Sequence, residues 1–235
     1  MHESKFAPST IMSAVSAIGF VQKVMDVRDL SNAVLIRKML QGSKQLNGSP
    51  DMRLPITLHI LEKMVEASHI VIGSMYARLI FQAMCALAFH ALLRVGEMTL
   101  SHNNWQREDI SIEEDGMSIT FRKFKHSMGA VVRHTVKPCQ KGSICAVSLV
   151  QRYLQMRRGS TGPLFLSDTG EAVLRSSFCK ELKPALQFSG YPEGRYNTHN
   201  FRIGAATHLA SQGASDAQIR LAGRWASNAL TSYYY

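Results

Sequence analysis

From Ile70 to Val95 the chain reads IVIGSMYARLIFQAMCALAFHALLRV, apolar nearly throughout and interrupted by Arg78, Gln82 and His90. Those interruptions argue against a membrane span. A helix that is apolar on every side must be covered on every side, so the stretch reads as a central core helix over residues 74–93. The remaining chain has to be built around it. Directly after it comes RVGE, which places the cation Arg94 where a buried helix ends. A charge is tolerated there when it faces a polar pocket or the carbonyls of the helix end. Gly96 is expected to bend the chain. Glu97 either orients Arg94 or simply starts the next helix.

The flanking pattern predicts a mainly helical α+β protein. Ser9 or Thr10 can cap a helix carrying Ile11, Val15, Ile18 and Val21 inward, and a second helix is expected over residues 31–46. Lys38 and Lys44 make the outer side of that second helix basic. The linker-like NGSPDMRLPIT then marks a boundary, giving a helical piece over 1–50 and a larger domain over 51–235. Helices are expected from Thr57, over 146–157 and over 176–189. Between them DISI, SITFRKFK and VVRHTVKP alternate as short strands, which predicts a small three-stranded antiparallel sheet. Asp115-Gly116 supplies the first hairpin turn. The looser HSMGA turn carries Lys123, Lys125 and His126 at its mouth, and PLFLS reads as one further short strand.

The chain of 235 residues carries 27 Lys and Arg against 17 Asp and Glu, a net charge of +10. That surplus favours an anionic partner, nucleic acid before an anionic membrane surface. The four cysteines form no CxxC pair and no His lies at finger-like spacing, so no structural zinc and no cofactor is expected. Cys139 and Cys145 can approach each other across a loop. Free cysteines and the lack of an apolar signal core at the N-terminus suit a reducing, intracellular compartment.

The tail from Thr198 to Tyr235, THNFRIGAATHLASQGASDAQIRLAGRWASNALTSYYY, concentrates the chemistry. His199 and Arg202 are three apart and project from one helix face. The expected cap of their helix is Asn197 or Thr198, and His208 reads as structural. Arginines hold an anion with fork-like donors, His moves protons and a Tyr hydroxyl can attack. With Arg94 and Lys125, these groups can neutralise a pentacoordinate phosphate. A phosphotyrosine bond preserves the energy of the phosphodiester, so a strand can be rejoined without ATP.

These residues carry a resemblance to the tyrosine recombinase (phage integrase) family. The matching segments are ALLRVGEMTL, FRKFKHS, THNFRIGAATHLA, AGRW and SNALTSYYY, in the order Arg, Lys, HxxR, His-or-Trp, Tyr. The resemblance covers about residues 55–235 and implies the family's catalytic fold, preceded by a shortened helical core-binding piece. It implies Arg94 and Arg202 as phosphate clamps and Lys125 as the general acid for the leaving 5′ oxygen. It implies His199 as a proton carrier and Trp225 as an indole donor in place of the family's second His, although a Trp anchoring a turn fits the same position. Tyr233 is the expected nucleophile and Tyr234 the runner-up; adjacent residues on a helix diverge by about 100°. Lys38, Lys44, Lys123 and Arg224 are expected on DNA, although Arg224 can instead fold back onto an acid. The implied partners are double-stranded DNA and, in the family, further copies of the chain in a tetramer. The family's last helix is expected to be cut short here, which places that assembly in question. LPIT and GRW look most like recombinases of eukaryotic mobile elements, tyrosine-recombinase retrotransposons and Cryptons, which would make the protein nuclear. Two other readings compete: a DNA-binding protein derived from such an enzyme with little catalysis, and a type IB topoisomerase.

Overall fold

A computed structural model describes residues 6–47, 53–100, 105–122, 129, 131–139, 144–191 and 193–225. The chain divides into two compact units, Met1–Met52 and Arg53–Tyr235. In the first, α1 (Pro8–Val24) and α2 (Val34–Asn47) pack together. Pro8 opens α1 after Ala7, in place of a Ser9 or Thr10 side-chain cap, because its fixed φ suits the first helical turn. Between the helices Asp29 accepts hydrogen bonds from Ser31 and an ion pair from Lys23 at 3.1 Å. Those contacts, the Ser31 hydroxyl first, hold its carboxyl at about 2.

The second unit is wrapped around α4 (Met75–His90), capped by Ser74, whose hydroxyl accepts from the Ala77 N–H. Every residue from Leu79 to Phe89 is buried. Each large apolar side chain covered in this way contributes about 1.5–3 kcal/mol. Gln82 is satisfied inside the core by donating to the Ser68 hydroxyl at 2.9 Å. Around α4 pack α3 (Leu58–Val71), α6 (Ala146–Met156), α7 (Arg175–Phe188) and α8 (Asn200–Ser211). The one-turn α5 (Val95–Met98) follows α4 directly, and α9 (Asp216–Gly223) packs on α8. No helix among the described residues is long and apolar enough to cross a membrane.

The sheet is three-stranded and antiparallel in the order β1 (Ile110–Glu113), β2 (Gly116–Phe121), β3 (Val132–Val136). Ile110 pairs with Ile119, and Phe121 with Val132. Its first turn is Glu114-Asp115, and Gly116 already belongs to β2. Gly116 has φ 152° and lies so close to the Val136 carbonyl that a Cβ would collide with it, so the glycine is needed one place later than the turn. The HSMGA turn lies largely outside the described residues. PLFLS does not join the sheet; the bridges Gln106–Pro163 and Leu166–Ala172 hold it instead. Arg157 gathers this region, donating to the carbonyls of Leu164, Thr161 and Pro163 at 2.7–3.0 Å.

Candidate active site

Helix α4 ends at His90 because the backbone turns left-handed at Leu92, with φ 49°. A branched residue rarely adopts that conformation, so its surroundings must hold it. Gly96, expected to bend the chain, instead sits inside α5, and the bend is at Leu92. Two arginines from the far end of the chain fasten it. Arg202 Nη1 donates to the Leu92 carbonyl, and Arg224 Nη2 donates to the same oxygen at 3.3 Å.

Glu97 forms the hub beside this bend. Its carboxylate accepts the Arg94 backbone N–H at 2.8 Å, Arg94 Nη1 at 3.4 Å and Arg224 Nη2 at 3.2 Å. The Arg94 side chain is 34% exposed, Glu97 11% and Arg224 only 4%. Arg94 therefore reaches solvent, while Glu97 holds it from behind. Arg224, expected on the DNA backbone, is buried. Its donors go to Glu97, Ala91, Leu92 and Ala222, and its guanidinium lies 3.9 Å over the Phe121 ring of β2. The acid it folds back onto is Glu97. Burying a guanidinium costs several kcal/mol, which the carboxylate, the carbonyls and the ring together offset. Burial is also the main influence lowering the Arg224 pKa, and Glu97 opposes it. Left-handed dihedrals at Arg224, φ 54° and ψ 45°, end α9 and turn the side chain inward.

Arg202, the expected second phosphate clamp, is 1% exposed. Besides Leu92 it donates to the Gly223 carbonyl at 2.7 Å, and its guanidinium lies 4.2 Å from the Trp225 ring. Trp225 in turn packs so tightly on Gly223 that a Cβ there would enter the indole. His199 immediately precedes α8 and is half-buried, and the Asn197 side chain accepts its backbone N–H at 2.8 Å. His208 packs against Phe89 of the core. Lys38 and Lys44 are exposed on α2 in the first unit. Lys123, Lys125, Tyr233 and Tyr234 lie outside the described residues. Arg122, just before that lysine segment, pairs with buried Asp109 at 2.6 Å and fixes where β2 ends.

Two contributors were missed in the sequence. Asn200 is fully buried; it donates to the carbonyls of Leu54 and Arg195 and accepts the Asn197 N–H at 2.9 Å. It thereby clasps the extended segment 53–57 to the start of α8. His134 on β3 lies opposite Ile119, on the sheet face of Phe121 beneath Arg224. Burial first and the Arg224 charge second lower its pKa. Its alternation with Arg133 and Thr135 was the available signal.

Residues 56–235 match the sequence profile of the Phage integrase family, and the chain belongs to that family. Solved structures share the fold at low identity. XerH site-specific recombinase bound to its palindromic difH substrate superimposes with a TM-score of 0.60 at 17% identity, over 82% of this chain and 51% of that one. The Tn1549 transposon integrase in complex with circular intermediate DNA gives 0.65 at 16%, over 100% and 77%. The lambda integrase dimer on a COC′ core site gives 0.56 at 16%, over 94% and 63%. The chain thus spans about half the length of the XerH chain. No curated protein sequence matches it significantly.

Proposed function

We propose that the protein is a site-specific DNA recombinase that cuts and rejoins strands through a 3′-phosphotyrosine, without metal or ATP. The observation that carries this reading is the convergence of RVGE, HxxR and GRW, distant in sequence, on the bend at Leu92, in a chain of the phage integrase family. In this reading Arg94 takes the scissile phosphate, steadied by Glu97. Arg202 and Trp225 complete the clamp, and His199 moves a proton. Lys125 protonates the leaving oxygen, and Tyr233, with Tyr234 as runner-up, attacks. Residues 1–50 add a helical DNA-contacting piece through Lys38 and Lys44, and Lys123 meets the backbone beside Lys125. The similar structures described as DNA-bound support double-stranded DNA as the partner, and a homo-oligomer on it. LPIT and GRW support an origin in a eukaryotic mobile element and action in the nucleus.

One observation favours a second reading, a DNA-binding derivative with weak catalysis. Arg202 is spent on two backbone carbonyls and is almost fully buried. A nicked suicide duplex incubated in EDTA separates the two. Wild type is expected to give a covalent protein–DNA adduct that Tyr233→Phe abolishes and Tyr234→Phe leaves intact. Specific binding without any adduct establishes the second reading, and loss of the adduct only in Tyr234→Phe moves the nucleophile by one residue.

A further inference from the structure

Away from the arginine cluster, Cys139 and Cys145 meet where the connection after β3 enters α6. Both are half-buried and both are free thiols. Cys145 is the residue that precedes α6, at the end of the helix whose N–H groups are open, and its sulfur makes no cap hydrogen bond. The Cys139 backbone N–H donates to the Cys145 sulfur at 3.4 Å. The Cys139 thiol is shared between that sulfur and the Ile144 carbonyl, which lies at 3.5 Å. The same carbonyl is bound by His90 Nε2 at 2.8 Å, which anchors the site to the end of α4. Burial acts to raise the Cys145 pKa, but the contact from Cys139 and the nearby backbone N–H groups of Ser148 and Val147 outweigh it and leave it below the ordinary value. The two sulfurs therefore differ in surroundings: that of Cys145 accepts the Cys139 N–H at the start of α6, and that of Cys139 donates toward the Ile144 carbonyl beside it.

We propose that Cys139 and Cys145 form an oxidative modification site for hydroperoxides, with Cys145 as the attacking sulfur and Cys139 as the resolving thiol. In the first step the Cys145 thiolate attacks the peroxide. An S–O bond forms and the O–O bond breaks; the sulfur loses two electrons and the leaving oxygen departs as hydroxide, or as alkoxide from an organic peroxide. In the second step the Cys139 sulfur attacks the sulfenic sulfur. The S–S bond forms, the S–O bond breaks, and the hydroxyl leaves as water with the Cys139 proton. A dithiol reductant reverses the product. Cys85, fully buried in α4 with its pKa raised by burial, stays out of this chemistry.

Lys141 lies between the two cysteines, so trypsin places them on separate peptides, 134–141 and 142–152. The test treats the intact folded chain with hydrogen peroxide, blocks the remaining thiols and digests with trypsin. Expected are loss of two of the four thiols and a disulfide-linked pair of those peptides that dithiothreitol separates. Cys139→Ser should stop the reaction at a sulfenic acid on Cys145, trapped by dimedone, whereas Cys145→Ser should leave Cys139 unlabelled. With no oxidant present, iodoacetamide should modify Cys145 several-fold faster than Cys179. The proposal is overturned if both cysteines alkylate fully after peroxide with no linked peptides, or if Cys179 oxidises as readily as Cys145. Circular dichroism of each variant separates loss of reactivity from loss of fold.

Discussion

Glu97 holds two arginines, Arg94 three residues before it and Arg224 from 127 positions further on, and its loss would strand one of them inside the protein. Arg224 would keep its carbonyl and ring contacts but lose its counter-charge at 4% side-chain exposure. Breaking a buried pair from one side typically costs about 3–5 kcal/mol. Glu97→Ala is therefore expected to lower stability by about 3 kcal/mol, measured as the shift of the urea unfolding midpoint. Arg94→Ala, removing the solvent-facing partner, should shift it by less than about 1 kcal/mol. Equal losses would mean that Arg224 does not depend on Glu97. His134 and His90 carry a second residue-scale prediction, because burial lowers the pKa of both below the ordinary 6.5. The unfolded chain binds their protons first, so the stability from keeping them neutral is present above about pH 6.5 and is lost as pH falls below it. Urea midpoints between roughly pH 7.5 and 5.5 should decline, and His134→Gln should reduce the decline. An unchanged slope in that variant would remove His134 from the cause. The sequence pointed to Arg94 because a charge at the end of a buried helix stands out. It left Arg224 open between DNA and an acid, because the choice depends on Phe121 and Glu97 arriving from other segments.

Among the elements, α8 is set by what lies across its first turns. Gly204 faces Ile56 so closely that a Cβ would overlap the Ile56 carbonyl, and the Ile56 N–H donates to the Asn200 carbonyl at 3.1 Å. A backbone carbonyl cannot move aside as a flexible side chain can. Gly204→Ala is expected to destabilise by about 2 kcal/mol or more, read in chemical denaturation, despite the gain in helix propensity of about 1 kcal/mol. Asn200→Ala should cost a similar amount, because the carbonyls of Leu54 and Arg195 lose their buried donor. A neutral or stabilising Gly204→Ala would show that the segment can shift freely. Element types were legible wherever a periodic pattern had its own caps: Thr57 and Ser74 start α3 and α4, and the alternating residues made the sheet. Two placements were not. The bend at Leu92 is enforced by side chains about 110 and 132 positions away. PLFLS has strand-like residues but pairs only through bridges, because Arg157 curls its flank around a guanidinium.

At the scale of the whole molecule, charge is unevenly shared. Residues 1–52 hold six Lys or Arg against four Asp or Glu, so most of the net +10 belongs to the second unit. If duplex DNA is the partner, binding should release counterions and weaken steeply with salt. Between roughly 50 and 200 mM a loss of about a thousandfold is expected, measured by fluorescence anisotropy on a duplex. Lys38→Ala and Lys44→Ala should reduce the slope of affinity against salt, and Arg224→Ala should not, because that arginine faces Glu97. A reduced slope in Arg224→Ala would return it to the DNA surface.

The clasp between Asn200 and Leu54 spans 146 positions. A ribosome adding residues at about 5–20 per second needs roughly seven to thirty seconds to cover that distance. Throughout that interval the opening segment of the second unit has been made and its partner has not. Helix α4 and its apolar neighbours emerge early, while the surface of α8 that completes their cover comes last. The protein is therefore most exposed to proteases and to association with other nascent chains while it is being synthesised, before Arg202 has reached Leu92.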